Sequence, residues 1–195
     1  GWTAAGMLSP LAELESAGDE VFHWGLRSLD LWPRILRDLP APVAFHRDGS
    51  LLVAHREDGG AARRVLELLA RKAPAQHQAE PLSAARLAEL EPALRPGPQG
   101  WLLPGEGRIH TVQAMEALLA GAPAVQWHWD SPVEAVEPQV LQLRGRRERF
   151  DWVFDVRGLG ARPELPVRGV RGEIFWLQAP GLGLLRPVRL LHARH

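Results

Sequence analysis

The chain has 195 residues, 46% of them hydrophobic, and its 23 lysines and arginines balance 23 aspartates and glutamates. That length supports the core of one or two domains, and zero net charge gives no field to draw the chain to nucleic acid or an anionic membrane. Cysteine is absent, which excludes disulfides, thiolate metal sites and a cysteine nucleophile, and fits the reducing cytoplasm where the protein is expected. No run has the length and apolarity of a membrane span, and the opening residues lack the basic start of a secretory signal.

In chain order, the small-residue run Thr3 to Pro10 leads into a helix expected from Asp19, its N-cap. Phe22, Leu26, Leu29 and Ile35/Leu36 recur at three- and four-residue steps and predict one inward face, with Pro33 kinking or ending the helix. Val43 to His46 and Ser50 to Ala54 read as a hairpin around Arg47-Asp48-Gly49. Arg56 to Arg71 predicts a helix with Val65, Leu68 and Leu69 inward. A short helix follows, capped by Ser83 and stopped by Pro92. Arg95 to Gly107 is too rich in Gly and Pro for more than loop or short strand. Thr111 is expected to cap a helix that buries Met115, Leu118 and Leu119.

The remainder reads as β. The strand candidates are Val125 to Trp129, a hairpin of Val133 to Val136 with Val140 to Leu143, then Phe150 to Val156, Val170 to Leu177 and Pro187 to Leu191. Between two of them, the basic cluster Arg144 to Arg149 is expected to be a solvated tip. Strands and helices do not alternate regularly, which argues for an α+β arrangement over a doubly wound half.

The chemistry-bearing signals are few. The apolar strand candidate ending in Val156 runs into Gly158 and Gly160, and a glycine at the carboxyl end of a strand lets a ligand approach the backbone. Arg157 and Arg162 flank that turn and could neutralise phosphate, or stand as surface residues. Neither Gly158-x-Gly160 nor Gly181-x-Gly183 continues as a GxGxxG opening a helix. Histidines do not converge in sequence as a zinc site needs, so no metal is expected. No carboxylate pair for acid–base work is evident, and no catalytic residue can be assigned.

Read together, TAAGMLSP, the following helix, VAFHRDGSLLVAH, ARLAELEPAL, DSPVEAVE, the strand into GLGAR and PVRGVRGEIFWL resemble, in order and spacing, the glycine oxidase group of the D-amino-acid oxidase superfamily. The resemblance spans nearly the whole chain. It implies FAD as cofactor, a fold of α+β (α/β-like) class, and a partial FAD-binding domain interleaved with an antiparallel-sheet substrate domain. Residues 1–40 and 126–162 would be pieces of the first, and 41–125 and 163–195 pieces of the second. It implies that Ala5, Gly6 and Met7 pass beside the flavin ring, that Val133 and Gly158 offer backbone to the cofactor, and that His195 lies near the substrate mouth.

The implied reaction oxidises the amine of a small amino acid to an imine with oxygen as acceptor, a product that can feed thiamine synthesis. Sarcosine oxidases, D-amino-acid dehydrogenases and the oxidase half of a tRNA-modifying enzyme share the pattern. Such enzymes carry a GxGxxG unit before this region and substrate-binding arginines after it. The chain is therefore expected to be the middle of an enzyme, and alone to hold no FAD tightly and to show no turnover. The small amine is the expected partner, with no nucleic acid or membrane, and a homo-oligomer stays open. The alternative is a non-catalytic module that packs against a partner, a role its eight tryptophans would suit.

Overall fold

The computed structural model describes residues 4–192, which form two compact units. The first comprises the chain up to Pro123 together with the segment from Ile174; the second is Ala124–Glu173.

The first unit opens with β1 (Met7–Leu8), α1 (Pro10–Glu13) and α2 (Asp19–Arg37). Gly18, in extended backbone, occupies the cap of α2, and Asp19 is its first helical residue, where its charge favours the positive helix end. Pro33 does not end α2, which continues to Arg37 with Asp38 as C-cap. Only one turn lies beyond the proline, so the missing N–H costs a single bond near an end that frays anyway.

β2 (Phe45–His46) and β3 (Ser50–Ala54) are not the expected hairpin. Gly49 at φ +87° carries the chain from one sheet into another. After β3, a 3-10 turn at Arg56–Asp58 leads into α3 (Gly59–Lys72), which buries Ala61, Ala62 and Leu69. β4 (Glu80–Leu82) and α4 (Ala84–Leu90) follow, with the Ser83 hydroxyl accepting from the Arg86 N–H as expected of its cap. The Gly/Pro-rich crossing contains a full strand, β5 (Gln99–Leu103), and then β6 (Gly107–Ile109).

The cap of α5 (Thr111–Ala120) is His110, whose Nδ1 accepts from the Gln113 N–H, while the Thr111 hydroxyl donates instead to the Ala4 carbonyl. α5 buries Ala114 and Ala117, whereas Met115 and Leu119 are half-buried and Leu118 is exposed.

One sheet of this unit has strand order β1-β6-β2, all antiparallel. The other is completed by β10 (Val188–Leu191), in the order β10-β3-β5-β4 and with β10 parallel to β3. β3 is buried along its whole length because both its faces are covered. Leu52 and Ala54 face a core with Leu11, Leu14, Phe22 and Leu69, while Leu51 and Val53 pack with Leu87 on the opposite side. Each such leucine contributes about 1.5–3 kcal/mol by leaving water.

The second unit contains the meander of β7 (Val133–Glu137), β8 (Val140–Leu143) and β9 (Arg146–Arg149). The hairpin is where the alternation predicted it. The basic cluster is more than a tip, since four of its residues form the edge strand β9. Val125 to Trp129, Phe150 to Val156 and Val170 to Leu177 form no strand. A strand needs a neighbour for its N–H and C=O groups, and among the described residues no strand runs beside them, although the Phe150 N–H donates to the Gln139 carbonyl at 2.8 Å. Their side chains stand in solvent, with Trp152 79% and Phe154 81% exposed.

A buried carboxylate anchors the return of the chain into β10. Glu91, wholly inaccessible, accepts from the consecutive N–H groups of Leu185 at 2.7 Å and Arg186 at 2.9 Å. Arg186 in turn donates to the carbonyls of Leu90 and Asp48. Glu91→Ala strands both N–H groups and is expected to cost about 2–4 kcal/mol in urea unfolding. Glu89→Ala, which removes only the exposed pair with Arg86, should cost less than about 0.5 kcal/mol.

Candidate functional site

The small-residue run at the start of the chain forms one wall of an apolar cleft of about 230 Å³, which Gly6, Met7 and Leu8 share with Trp32, Met115 and Leu118. Pairing builds this wall. Met7 lies opposite Arg108 and Leu8 opposite Gly107, and the Ile109 N–H donates to the Gly6 carbonyl at 2.9 Å. Gly6 has φ +86°, and a Cβ there would sit 2.1 Å from the Ile109 oxygen. Glycine at this position is thus required by the approach of β6, whatever occupies the cleft. β1 is an edge strand, so its outer side keeps backbone N–H and C=O groups unused by the sheet. Met7 is 43% exposed. Ala5 is exposed and does not line the cleft.

Behind this wall lies a second buried carboxylate. Glu106 accepts from the Ala12 N–H at 2.8 Å through one oxygen and from the Ser50 hydroxyl through the other. It takes the capping role at α1 that Ser9 would ordinarily fill, and the Ser9 hydroxyl is left buried without a partner. Burial pushes the Glu106 carboxyl above its ordinary value, against the hydrogen bonds from Ser50 and from the Ala12 and Leu11 backbone that pull it down.

In the second unit, Val133 lines a separate apolar cleft of about 260 Å³ with Phe150, Trp152, Phe154 and Arg157. Arg157 is not a free cation there. Its Nε and Nη2 hold the Asp155 carboxylate at 2.9 and 2.8 Å, and its backbone N–H donates to the same group. The Arg157 hydrogen bonds hold Asp155 below its ordinary carboxylate range. Gly158, at φ +60°, opens a 3-10 turn, and a Cβ there would meet nothing within 4 Å. The strain of Gly158→Ala is therefore conformational alone, about 1–2 kcal/mol, and not the clash that a closely approached backbone would give.

The structure thus gathers Gly6 and Met7 at one cleft and Val133 with the Arg157 turn at another, each within its own unit. His195 lies outside the described residues. Among the described residues no group of three metal-ligating side chains gathers, and no helix is long and apolar enough to cross a membrane. The sequence reading missed Glu91 and Glu106, because a lone acid in a turn carries no periodic signal. It also missed a cleft of about 400 Å³ between α3 and β10, bordered by the Glu15–Arg189 ion pair.

Residues 1–194 match the family of FAD-dependent oxidoreductases that includes the D-amino-acid oxidases. The chain is 33% identical over 195 residues to the protein from Rhizobium etli assigned as thiamine biosynthesis oxidoreductase ThiO, covering 98% of itself and 53% of that relative. Its fold is similar to that of glycine oxidase from Geobacillus kaustophilus, at TM-score 0.59 and 19% identity over 75% of this chain and 42% of the other. It is also similar to iminodiacetate oxidase from Chelativorans, at TM-score 0.58 and 17% identity over 76% and 43%. At such identities the likeness is one of fold. The chain belongs to the FAD-dependent oxidoreductase family, and it spans about half the length of the relatives it matches.

The raised Glu106 carboxyl has a signed consequence. A group that holds its proton more tightly when folded stabilises the fold at acid pH and loses that contribution as pH rises through its folded-state value. Glu106→Gln keeps an acceptor for Ala12 and a donor for Ser50 but carries no proton to lose. Relative to the variant, the parent chain should become steadily less stable as pH climbs above the ordinary 4.5. Urea unfolding of both at pH 5 and pH 8 measures that difference, and a parent chain that holds or gains stability relative to Glu106→Gln toward pH 8 contradicts it.

Proposed function

We propose that this chain is part of an enzyme that oxidises the amine of a small amino acid to an imine, with FAD as cofactor and oxygen as acceptor. The observation that carries the reading is the β1 wall: a short edge strand entered through Gly6 and bordering an apolar cleft, which fits a flat ring needing small neighbours and backbone donors. The described activities of the similar proteins, glycine oxidase and iminodiacetate oxidase, support a small amino-acid substrate. The thiamine biosynthesis relative supports a place in that pathway, and a cytoplasmic location is part of the same proposal.

In this reading the outer edge of Ala5, Gly6 and Met7 faces the ring, and Met115 and Leu118 close the apolar side. Val133 and the Gly158 turn offer backbone toward the adenine end. Residues 1–40 and 126–162 belong to the flavin-binding part, and 41–125 and 163–195 to the substrate part, with His195 near its mouth. Arg157, already spent on Asp155, takes no phosphate role. When bound, FAD supplies the acceptor for the hydride leaving the amine-bearing carbon. This chain's own task is to hold the ring's surroundings dry and fixed. The exposed run Phe150 to Val156 then serves as a strand for the half of the relatives' length that this chain does not span.

Gly6→Val is uninformative about flavin, since it breaks the β1–β6 pairing first. Leu118→Arg is the better probe, because Leu118 lines the cleft while 36% exposed. In the complete enzyme it should weaken FAD retention about tenfold or more, read from flavin fluorescence on dilution, with the circular dichroism unchanged. Hydrogen peroxide release should be fastest with glycine, sarcosine and small D-amino acids. An enzyme that holds FAD but releases peroxide with none of these amines contradicts the proposed substrate.

A further inference from the structure

α2 carries two apolar faces, and only one is used by the fold. Phe22, Leu26 and Leu29 point inward. Turned roughly 140° away, Val21, Trp24, Ser28, Leu31 and Ile35 form a second stripe, repeating at alternate three- and four-residue steps. That is the a/d pattern of a coiled-coil seam. Its large members stand in solvent, Val21 at 49%, Trp24 at 78%, Leu31 at 39% and Ile35 at 38% exposed. Ile35, expected inside from the helical period, belongs to this outer stripe. Because Ser28 is small between Trp24 and Leu31, the face is indented by a groove of about 350 Å³.

We propose that this face binds α2 of a second copy of the chain, the two helices running antiparallel about a twofold axis. Shape and charge select that arrangement. In the antiparallel register that sets Val21 against Leu31 of the second copy, Trp24 falls over Ser28 of that copy, so the bulky indole enters the groove the serine leaves. The symmetric contact repeats this at the other end.

The flanking g positions are Glu20, Arg27 and Arg34, and none of them is paired among the described residues. The same register places Glu20 beside Arg34 of the second copy, twice by symmetry. Arg27 meets its own copy at the axis, a like-charge contact that the two flanking pairs offset. A parallel pairing has neither advantage. It sets Trp24 against Trp24, and Glu20 opposite Gly25 where no charge is available. Four seam positions of each helix meet in this register, Ile35 lying beyond the start of the second copy's α2, and so small an interface should give a reversible dimer, with a dissociation constant on the order of micromolar.

Sedimentation equilibrium of the chain over a range of concentrations tests this. Trp24→Glu lies outside the core and should weaken the dimer at least about tenfold with the circular dichroism unchanged. Glu20→Arg and Arg34→Glu each turn two attractive contacts into repulsive ones, and each should weaken it about fivefold. The double variant Glu20→Arg/Arg34→Glu should restore it. Arg27→Gln removes the repulsion at the axis and should tighten it. A monomeric parent chain overturns the proposal, as does an association indifferent to Trp24→Glu or a double exchange that fails to rescue.

Discussion

The first unit turns on the Glu106 carboxyl group. One oxygen holds the Ala12 amide in the first turn of α1 and the other holds the hydroxyl of Ser50, which begins β3, while the Glu106 carbonyl accepts from the Gly49 N–H. Three stretches distant in sequence are fixed through a single residue, and β6 starts at the next position. Because β6 pairs with β1, the placement of Gly6 and Met7 at the cleft is inherited from this contact. An apolar residue could fill the same space, yet it would leave the α1 amide and the Ser50 hydroxyl without partners in a region water does not reach.

Buried acids at Glu91 and Glu106 serve the same physical end by the same means. Each gathers backbone N–H groups that no ladder or helix satisfies, at points where the chain changes from one element to another. Neither forms an ion pair. In a chain with balanced charges and a modest core, such carboxylates let irregular backbone be buried without loss of hydrogen bonding.

Where the sequence was informative, a local rule governed the outcome. Ser83 capped α4 because nothing else competed for the Arg86 N–H, and the β7–β8 hairpin formed from its own alternation. The order and spacing of its segments placed the chain among the FAD-dependent oxidoreductases. The errors arose where a distant partner decided. Ser50 to Ala54 alternates like half a hairpin, but β5 and β10 claimed its two edges. His110 displaced Thr111 as a cap because the Ala4 carbonyl recruited the threonine. Phe150 to Val156 and Val170 to Leu177 have strand composition and found no strand beside them. The cleft residues Met115 and Leu118 were assigned to the core because the helical period does not distinguish a core from a cavity wall.

The parallel pairing of β10 with β3 carries a consequence for the order in which the molecule can be made. The bond from Arg186 to the Asp48 carbonyl joins residues 138 apart, and the ladder beside it spans nearly the same interval. A chain emerging from the ribosome completes Ala124–Glu173, a contiguous stretch whose strand pairs are all local, before β10 exists. Through that interval β3 has one edge unpaired and its leucines only partly covered. The first unit is therefore begun early and closed late, and the exposed edge of β3 is the surface that a chaperone or a wrong neighbour meets during synthesis.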